Sequence, residues 1–226
     1  MNTPPNGQKI RSLATQTALM EAAETLIAEN GIQNVSIKEI VRGAGQKNQS
    51  ALQYHFRNLQ DLVNAVHRRR SRQIHKKRSE MLAELSSAKR TWLRDLCGLM
   101  VYPTFLLARS DRQFRQYVIA FSHEVVLAET SALSKVSRSG GGGISGTRLG
   151  KLLRQALTHL DERTYRAKTD LAVRTCSAAI GNHLRQKQPL KGAAAEFFIN
   201  NLIDSLEGLL LAPVSRDTQR SRKQSS

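Results

Sequence analysis

Apolar positions recur along this chain at intervals of three and four residues, the spacing of one face of an α-helix. Leu19, Ala22, Ala23, Leu26 and Ile27 mark a first helix, which Asn30-Gly31 should close with a left-handed cap. Val35 then precedes Ser36-Ile-Lys-Glu39, a capping box in which the serine hydroxyl accepts from the third amide while the glutamate reaches back. A second helix is therefore expected from Ile37. Its stripe is Ile37, Ile40, Val41 and Ala44, and Gly45 interrupts it after about two turns. A third is expected from about Ser50 to His55 with Leu52 and Phe56 inward, and Asn58 caps a fourth whose inner face is Leu59, Leu62, Val63 and Val66. Two short helices joined by a tight turn bury little alone. Packed on the first helix, they can hold the second of the pair in a DNA major groove, with the polar run between them as the reading surface.

Charge strengthens that reading. A formal net charge of +17 and a pI near 10.6 over 226 residues imply a polyanionic partner, nucleic acid before an acidic membrane surface. No apolar run reaches the roughly 18 to 20 residues needed to span a bilayer, and the opening MNTPPNGQKIRS lacks the apolar centre of a signal peptide, so a cytoplasmic location and no membrane partner are expected. Cys97 and Cys176 stand far apart with no metal-ligand spacing; they read as reduced apolar fillers, and no metal or cofactor is expected.

Gly31, Ser36, Ala44-Gly45, Tyr54-His55-Phe56 and the stretch from Asn58 to Leu62 lie at the spacings of the N-terminal domain of the tetracycline-repressor (TetR) family, which residues 12 to 70 resemble. The interval from Gly45 to Phe56 is one residue longer than the family's commonest pattern and resembles a subset reading Gly-x-x-Asn-x-Ser-Ala. The start of the recognition helix is therefore open, and a base contact can fall on Lys47, Asn48 or Gln49. The resemblance implies an all-α protein: a three-helix helix-turn-helix domain over 12–58, then a larger helical effector-binding and dimerisation domain over 59–212. A flexible basic arm over 1–11 and a disordered basic tail over 213–226 flank them.

The amides of Asn48, Gln49 and Gln53 can pair with adenine, and Lys47 can donate to guanine or phosphate. Ser36, Ser50, Tyr54 and His55 suit phosphate oxygens, with the Tyr54 ring expected beside buried Phe56. Arg11, with Lys9, is placed in the arm, where it could enter a minor groove. The basic run from His67 to Arg78 is read as solvated helix rather than added phosphate surface.

Beyond residue 80 the helical period continues through Trp92, Leu93, Leu96, Cys97, Met100 and Val101, then Phe114, Tyr117, Val118, Phe121 and His123. On the residues alone these are plain core. The resemblance implies an effector cavity, with Trp92, Met100, Tyr117, Phe121 and His123 as its wall and an apolar small molecule as its ligand. Gly141-x-Gly143-x-x-Gly146 formally matches a dinucleotide fingerprint but follows no strand, and is read as part of a flexible loop near 137–147. No Gly-x-Ser-x-Gly, His-Glu-x-x-His or carboxylate pair suggests an enzyme. Two late stripes, Ala172, Cys176 and Ala179 on one helix and Phe198, Leu202 and Leu206 on the next, are wide enough to close a four-helix bundle with a second copy, as the family implies. The functional expectation is a homodimeric repressor of double-stranded operator DNA released by a small molecule. The alternatives are a low-specificity DNA-coating protein and, less favoured, a nucleotide enzyme using the glycine segment.

Overall fold

The computed structural model describes residues 7–86, 91–132 and 143–224, and within them the chain is helical with no strand. In chain order the elements are α1 (Gly7–Asn30), a 3₁₀ turn (Ile32–Asn34), α2 (Ile37–Gly43), α3 (Ser50–His55), α4 (Leu59–Ser86), α5 (Leu93–Ser110), α6 (Arg112–Val126), α7 (Gly143–Ala156), α8 (Glu162–Arg185), α9 (Gly192–Leu211) and α10 (Arg216–Gln224).

Two apolar cores organise them. The first joins Leu19, Ala23 and Ile27 of α1 to Ile40 and Val41 of α2, Leu52 of α3 and Leu62, Val63 and Val66 of α4. Ala120 and Phe121 of α6 complete it, so the N-terminal core extends past residue 58 and is shared with the body. The second core fills the body with Leu96, Val101 and Phe105 of α5, Leu149 and Leu153 of α7, Ile180 of α8 and Leu202, Ile203 and Leu206 of α9.

Close approach of α6 and α8 depends on Gly181. A β-carbon built there would lie 2.0 Å from Ser122 Oγ and 2.5 Å from Ser122 Cβ, inside any tolerable contact. Helix α8 also ends its neighbours. Arg174 donates to the carbonyls of Val126 at 2.6 Å, Ala128 at 3.1 Å and Thr130 at 3.0 Å, where the chain leaves α6, and is itself held by Asp170 at 2.8 Å. Lys168 Nζ donates to the last carbonyls of α9, those of Leu209 at 3.1 Å and Leu210 at 3.2 Å. Each cation meets the negative end of a helix and satisfies carbonyls that have no intrahelical donor.

Three expectations about the flanks change. Residues 7–11 belong to the first helix, and Arg11 Nε donates to Gly7 O at 3.3 Å, so Arg11 sits on a helical turn rather than in an arm. Residues 143–147 of the expected glycine loop open α7, while 137–142 lie outside the described residues. The tail forms α10, whose start is capped by the Ser215 hydroxyl accepting from Thr218 N at 3.2 Å.

Candidate nucleic-acid interface and internal cavity

The helix-turn-helix is built from local hydrogen bonds. At the start of α2, Ser36 Oγ accepts from Glu39 N at 3.3 Å and Ser36 N donates to Glu39 Oε2 at 2.8 Å, closing the capping box. The bond from Ser36 also holds the Glu39 carboxyl below its ordinary range. At the end of α2, Gly45 N donates to Arg42 O at 3.0 Å and Gln46 N to Val41 O at 2.9 Å, a Schellman pair that needs the left-handed φ of 68° at Gly45. A β-carbon would strain that conformation, which is why a glycine ends this helix.

The recognition helix then starts from Asn48. Its Oδ1 accepts from Ser50 N at 3.0 Å and its carbonyl from Ala51 N at 3.1 Å, so Asn48 acts as the cap and Gln49 already has helical angles. This changes the chemistry available to it. Bidentate pairing with adenine needs both halves of an amide, and the Asn48 oxygen is already engaged. Leu52 and Phe56 anchor α3 inward, which leaves Lys47, Gln49, Ser50, Gln53 and Tyr54 on the exposed side.

Tyr54 departs from its expected place beside Phe56. It is 78 % exposed and packs edge-on against His55, ring centroids 4.9 Å apart. The half-buried His55 contacts Phe56 instead, and burial pushes its pKa below the ordinary histidine value. Helix α4 follows at once, with Asn58 Oδ1 accepting from Asp61 N at 2.8 Å.

The basic run on α4 is only in part the solvated face expected of it: Arg68, Arg72 and Lys76 are exposed, but His67 and Arg70 are buried. Arg70 is 1 % exposed and meets the fully buried Glu24 of α1 through two bonds of 2.6 Å, with Asp111 adding a third contact at 3.2 Å. Gln113 of α6 donates to Glu24 at 3.1 Å and to Glu21 O at 2.7 Å, and Arg69 pairs with Glu21 at 2.9 Å. Burial opposes the Arg70 charge, but the Glu24 and Asp111 carboxylates outweigh it and hold the guanidinium pKa above its usual value. The sequence did carry a signal: Glu24 occupies an apolar-stripe position between Met20 and Ile27, and Arg70 continues the stripe Val63, Val66 and His67.

Behind this network lies a cavity of about 430 Å³ between α4, α5, α6, α7 and α8. Met100, Tyr117 and Phe121 line it, as do Val118, Leu149, Leu153, Val173 and Ile180. Its polar groups fall at separate places. His67 lies 3.4 Å from Glu124 and 3.4 Å from the Tyr117 hydroxyl, whose pKa burial raises. Eleven residues along α4, Arg78 Nε donates to Leu99 O at 3.2 Å. Pro103, inside α5, has no N–H to offer Leu99, and Arg78 supplies the missing donor. Burial lowers the Arg78 pKa.

Trp92 is not part of this wall. It stands 55 % exposed at the N-cap of α5, because its stripe turns inward only from Leu96 onward. His123 also lies off the cavity, whereas His67 and Arg78, read as solvated, are on it. The cysteines are buried, and desolvation raises both thiols to about 12, so neither is a ready nucleophile.

The expected dimer stripes are also reassigned. Ala172, Cys176, Leu202 and Leu206 are buried inside this chain's own body core, Ala179 and Phe198 pack against that core, and the Phe198 ring stacks on His183 at 3.8 Å. The outer faces of α8 and α9 carry other apolar groups, notably Leu171 and Phe197, which is 73 % exposed. Among the described residues no group of acidic, histidine or cysteine side chains is placed to hold a metal, and no helix is long and apolar enough to cross a membrane.

No curated protein matches the chain significantly. Among solved structures the chain is similar to a protein described as a TetR-family transcriptional regulator from Rhodococcus sp., with a TM-score of 0.61 at 15% identity over 87% of this chain and 98% of that one. It is also similar to the fatty acid degradation regulator FadR from Bacillus halodurans, with a TM-score of 0.59 at 16% identity over 95% and 98% of the two chains. FadR from Bacillus subtilis, in complex with stearoyl-CoA, gives 0.55 at 16% identity over 88% and 99%. Residues 19–66 match the family described as "Bacterial regulatory proteins, tetR family". The chain thus carries a TetR-family N-terminal helix-turn-helix domain, followed by a helical body with the fold of that family's regulators.

Proposed function

We propose that this protein is a sequence-specific transcriptional regulator, a homodimeric repressor that leaves its operator when a small molecule fills the cavity. The observation that carries the reading is the sharing of elements: α4 and α6 line the cavity and also complete the core beneath the recognition helix. A ligand that spreads those walls acts on the DNA-reading unit directly, provided it binds the released arrangement more tightly. Gln49 and Gln53 are the base readers, Lys47, Ser50, Tyr54 and His55 the phosphate contacts, and Ser36 mainly a cap. The longer turn from Gly45 to Ser50 fits the family subset with one extra residue.

The second copy docks on the outer faces of α8 and α9, through Leu171 and Phe197. Phe197→Glu is expected to yield a monomer by light scattering with the protomer still folded, whereas a charge at Leu202 would unfold the chain. The regulator reading is tested by selecting binding sites from random DNA and titrating the best one. Changing Gln53 to Ala should cost about 1 to 3 kcal/mol on that site and little on scrambled DNA. The charge of +17 favours a second reading, low-specificity DNA coating. Equal affinity for selected and scrambled DNA at moderate salt would establish coating in place of regulation.

A further inference from the structure

We propose that Arg68, Arg72 and Lys76 form a phosphate-binding rail on the outer face of α4, along which duplex DNA adjoining the reading helix is drawn toward the body. The inference rests on the DNA-binding reading above and adds a second contact that carries no sequence information.

The basic run of α4 sorts into two kinds of cation. Arg69 pairs with Glu21, Arg70 with Glu24 and Lys77 with Glu80, while Arg78 donates to Leu99 O. Arg68, Arg72 and Lys76 are exposed instead, and none of the three has an ion pair or side-chain hydrogen bond among the described residues. They recur at every fourth residue, which sets them about 6 Å apart along the axis and within about 80° of one another around it, a single strip about 12 Å long. No acidic residue lies in the chain between Asp61 and Glu80 to answer them. Like charges one turn apart repel each other, so an uncovered strip weighs against the helix that carries it.

Its place on the chain says which polyanion it fits. Helix α4 begins at Leu59, directly after the reading helix and the exposed Arg57, and Arg68 stands about 14 Å along it at the helical rise. A duplex held by α3 therefore already lies at the start of this helix. Each strand presents a phosphate about every 3.4 Å of duplex axis, so cations about 6 Å apart on long flexible stems can each take one of their own. To reach them the duplex leans toward the body, and phosphate contacts offset such a bend without touching a base. A lipid surface suits the strip less well, because none of the exposed large apolar side chains among the described residues lies on α4 to enter it.

The test is the salt dependence of DNA binding by the full-length protein. Affinity is measured by fluorescence anisotropy from about 50 to 200 mM salt, on a duplex extending well beyond the selected site and on a scrambled duplex of the same length. Each phosphate contact adds about 0.9 to the slope of log affinity against log salt, so Arg68→Gln, Arg72→Gln and Lys76→Gln combined should cut that slope by about 2.7 on both duplexes. The loss of affinity across the range should shrink about 40-fold. Arg68→Lys with Arg72→Lys should keep the slope, because phosphate also accepts a lysine as a point charge. The melting temperature of the triple variant should not fall, since the changes remove repulsion. Lys151→Gln, Lys187→Gln and Lys191→Gln combined, which take the same charge from exposed positions on the body, should leave the slope as it was.

An unchanged slope in the α4 triple variant overturns the proposal. So does an equal reduction in the body variant, which would make net charge the cause. An unchanged slope together with lost sedimentation on phosphatidylserine vesicles would overturn it in favour of a membrane surface. Equal affinity of the unaltered protein for selected and scrambled DNA would instead strike the regulator reading, and the slope comparison would stand, because phosphate contacts serve scrambled DNA as well.

Discussion

The DNA-reading unit and the body use charge in opposite ways. Around α3, polar side chains are exposed and their bonds are local: Asn48 to Ser50, Ser36 to Glu39, Asn58 to Asp61. Around α4, the same residue types are buried and their partners are remote, with Arg70 reaching Glu24 of α1 and Gln113 reaching across from α6. An exposed polar surface can meet a variable DNA sequence at little cost to the fold. A buried ion pair cannot be altered singly, because removing one member leaves the other uncompensated in a poor solvent.

The most damaging way to probe that contrast is Arg70→Met. It strands the Glu24 carboxylate and should cost about 3 to 5 kcal/mol in urea unfolding, while the double change with Glu24→Leu should recover much of the loss. A double variant as unstable as the single one would show that packing, not charge, governs the site. Gly181→Ala comes next, at about 1 to 3 kcal/mol, because Ser122 already fills the space its methyl would need. Ser122→Ala should not rescue it, since the serine β-carbon lies 2.5 Å from the added atom; Ser122→Gly should.

Within the reading unit the expected effects are smaller. Asn48→Ala should lower stability by about 1 kcal/mol through the lost cap. Asn48→Asp keeps an acceptor for Ser50 N, so its melting temperature should hold while DNA affinity falls. Loss of stability in both variants would remove the capping role. The smallest effect concerns His55. Burial depresses its pKa, so it is neutral near pH 7, and the stability this contributes is present above the unfolded value and lost as pH falls through the folded one. Beside a phosphate the protonated form is favoured, so DNA affinity should rise modestly as pH falls into the range where His55 takes up its proton, below the ordinary histidine value. His55→Gln should flatten that rise.

This contrast also explains what could be read from residues alone. Capping serines and asparagines, the left-handed Gly45 and the three-and-four spacing of Leu62, Val63 and Val66 act within a few residues, so the helix-turn-helix was legible in order and nearly in bounds. An apolar stripe says that a face is covered but not by what. Leu202 and Leu206 therefore look available to a partner in the sequence although the body core of the same chain covers them, and Trp92 looks internal because it precedes a stripe it does not join. Arg70 and Arg78 were hidden for a related reason. Their partners, Glu24 and the carbonyl of Leu99, lie 46 and 21 residues away, and the place of Arg70 on its apolar stripe marks a covered position without naming the partner.

Arg174 has a consequence for how the molecule comes apart. The Arg174 guanidinium bonds the carbonyls of Val126, Ala128 and Thr130 as the chain leaves α6, while its partner Asp170 accepts from Ala132 N. Such a segment is latched by the Arg174–Asp170 pair and loosens when that pair breaks. In Arg174→Ala the opening should occur far more often than global unfolding, freeing the backbone beside the already exposed Leu127 for chymotrypsin in a protein whose melting temperature has moved little. Cleavage there would then follow the population of the unlatched form, making one residue the clock for the survival of the whole chain.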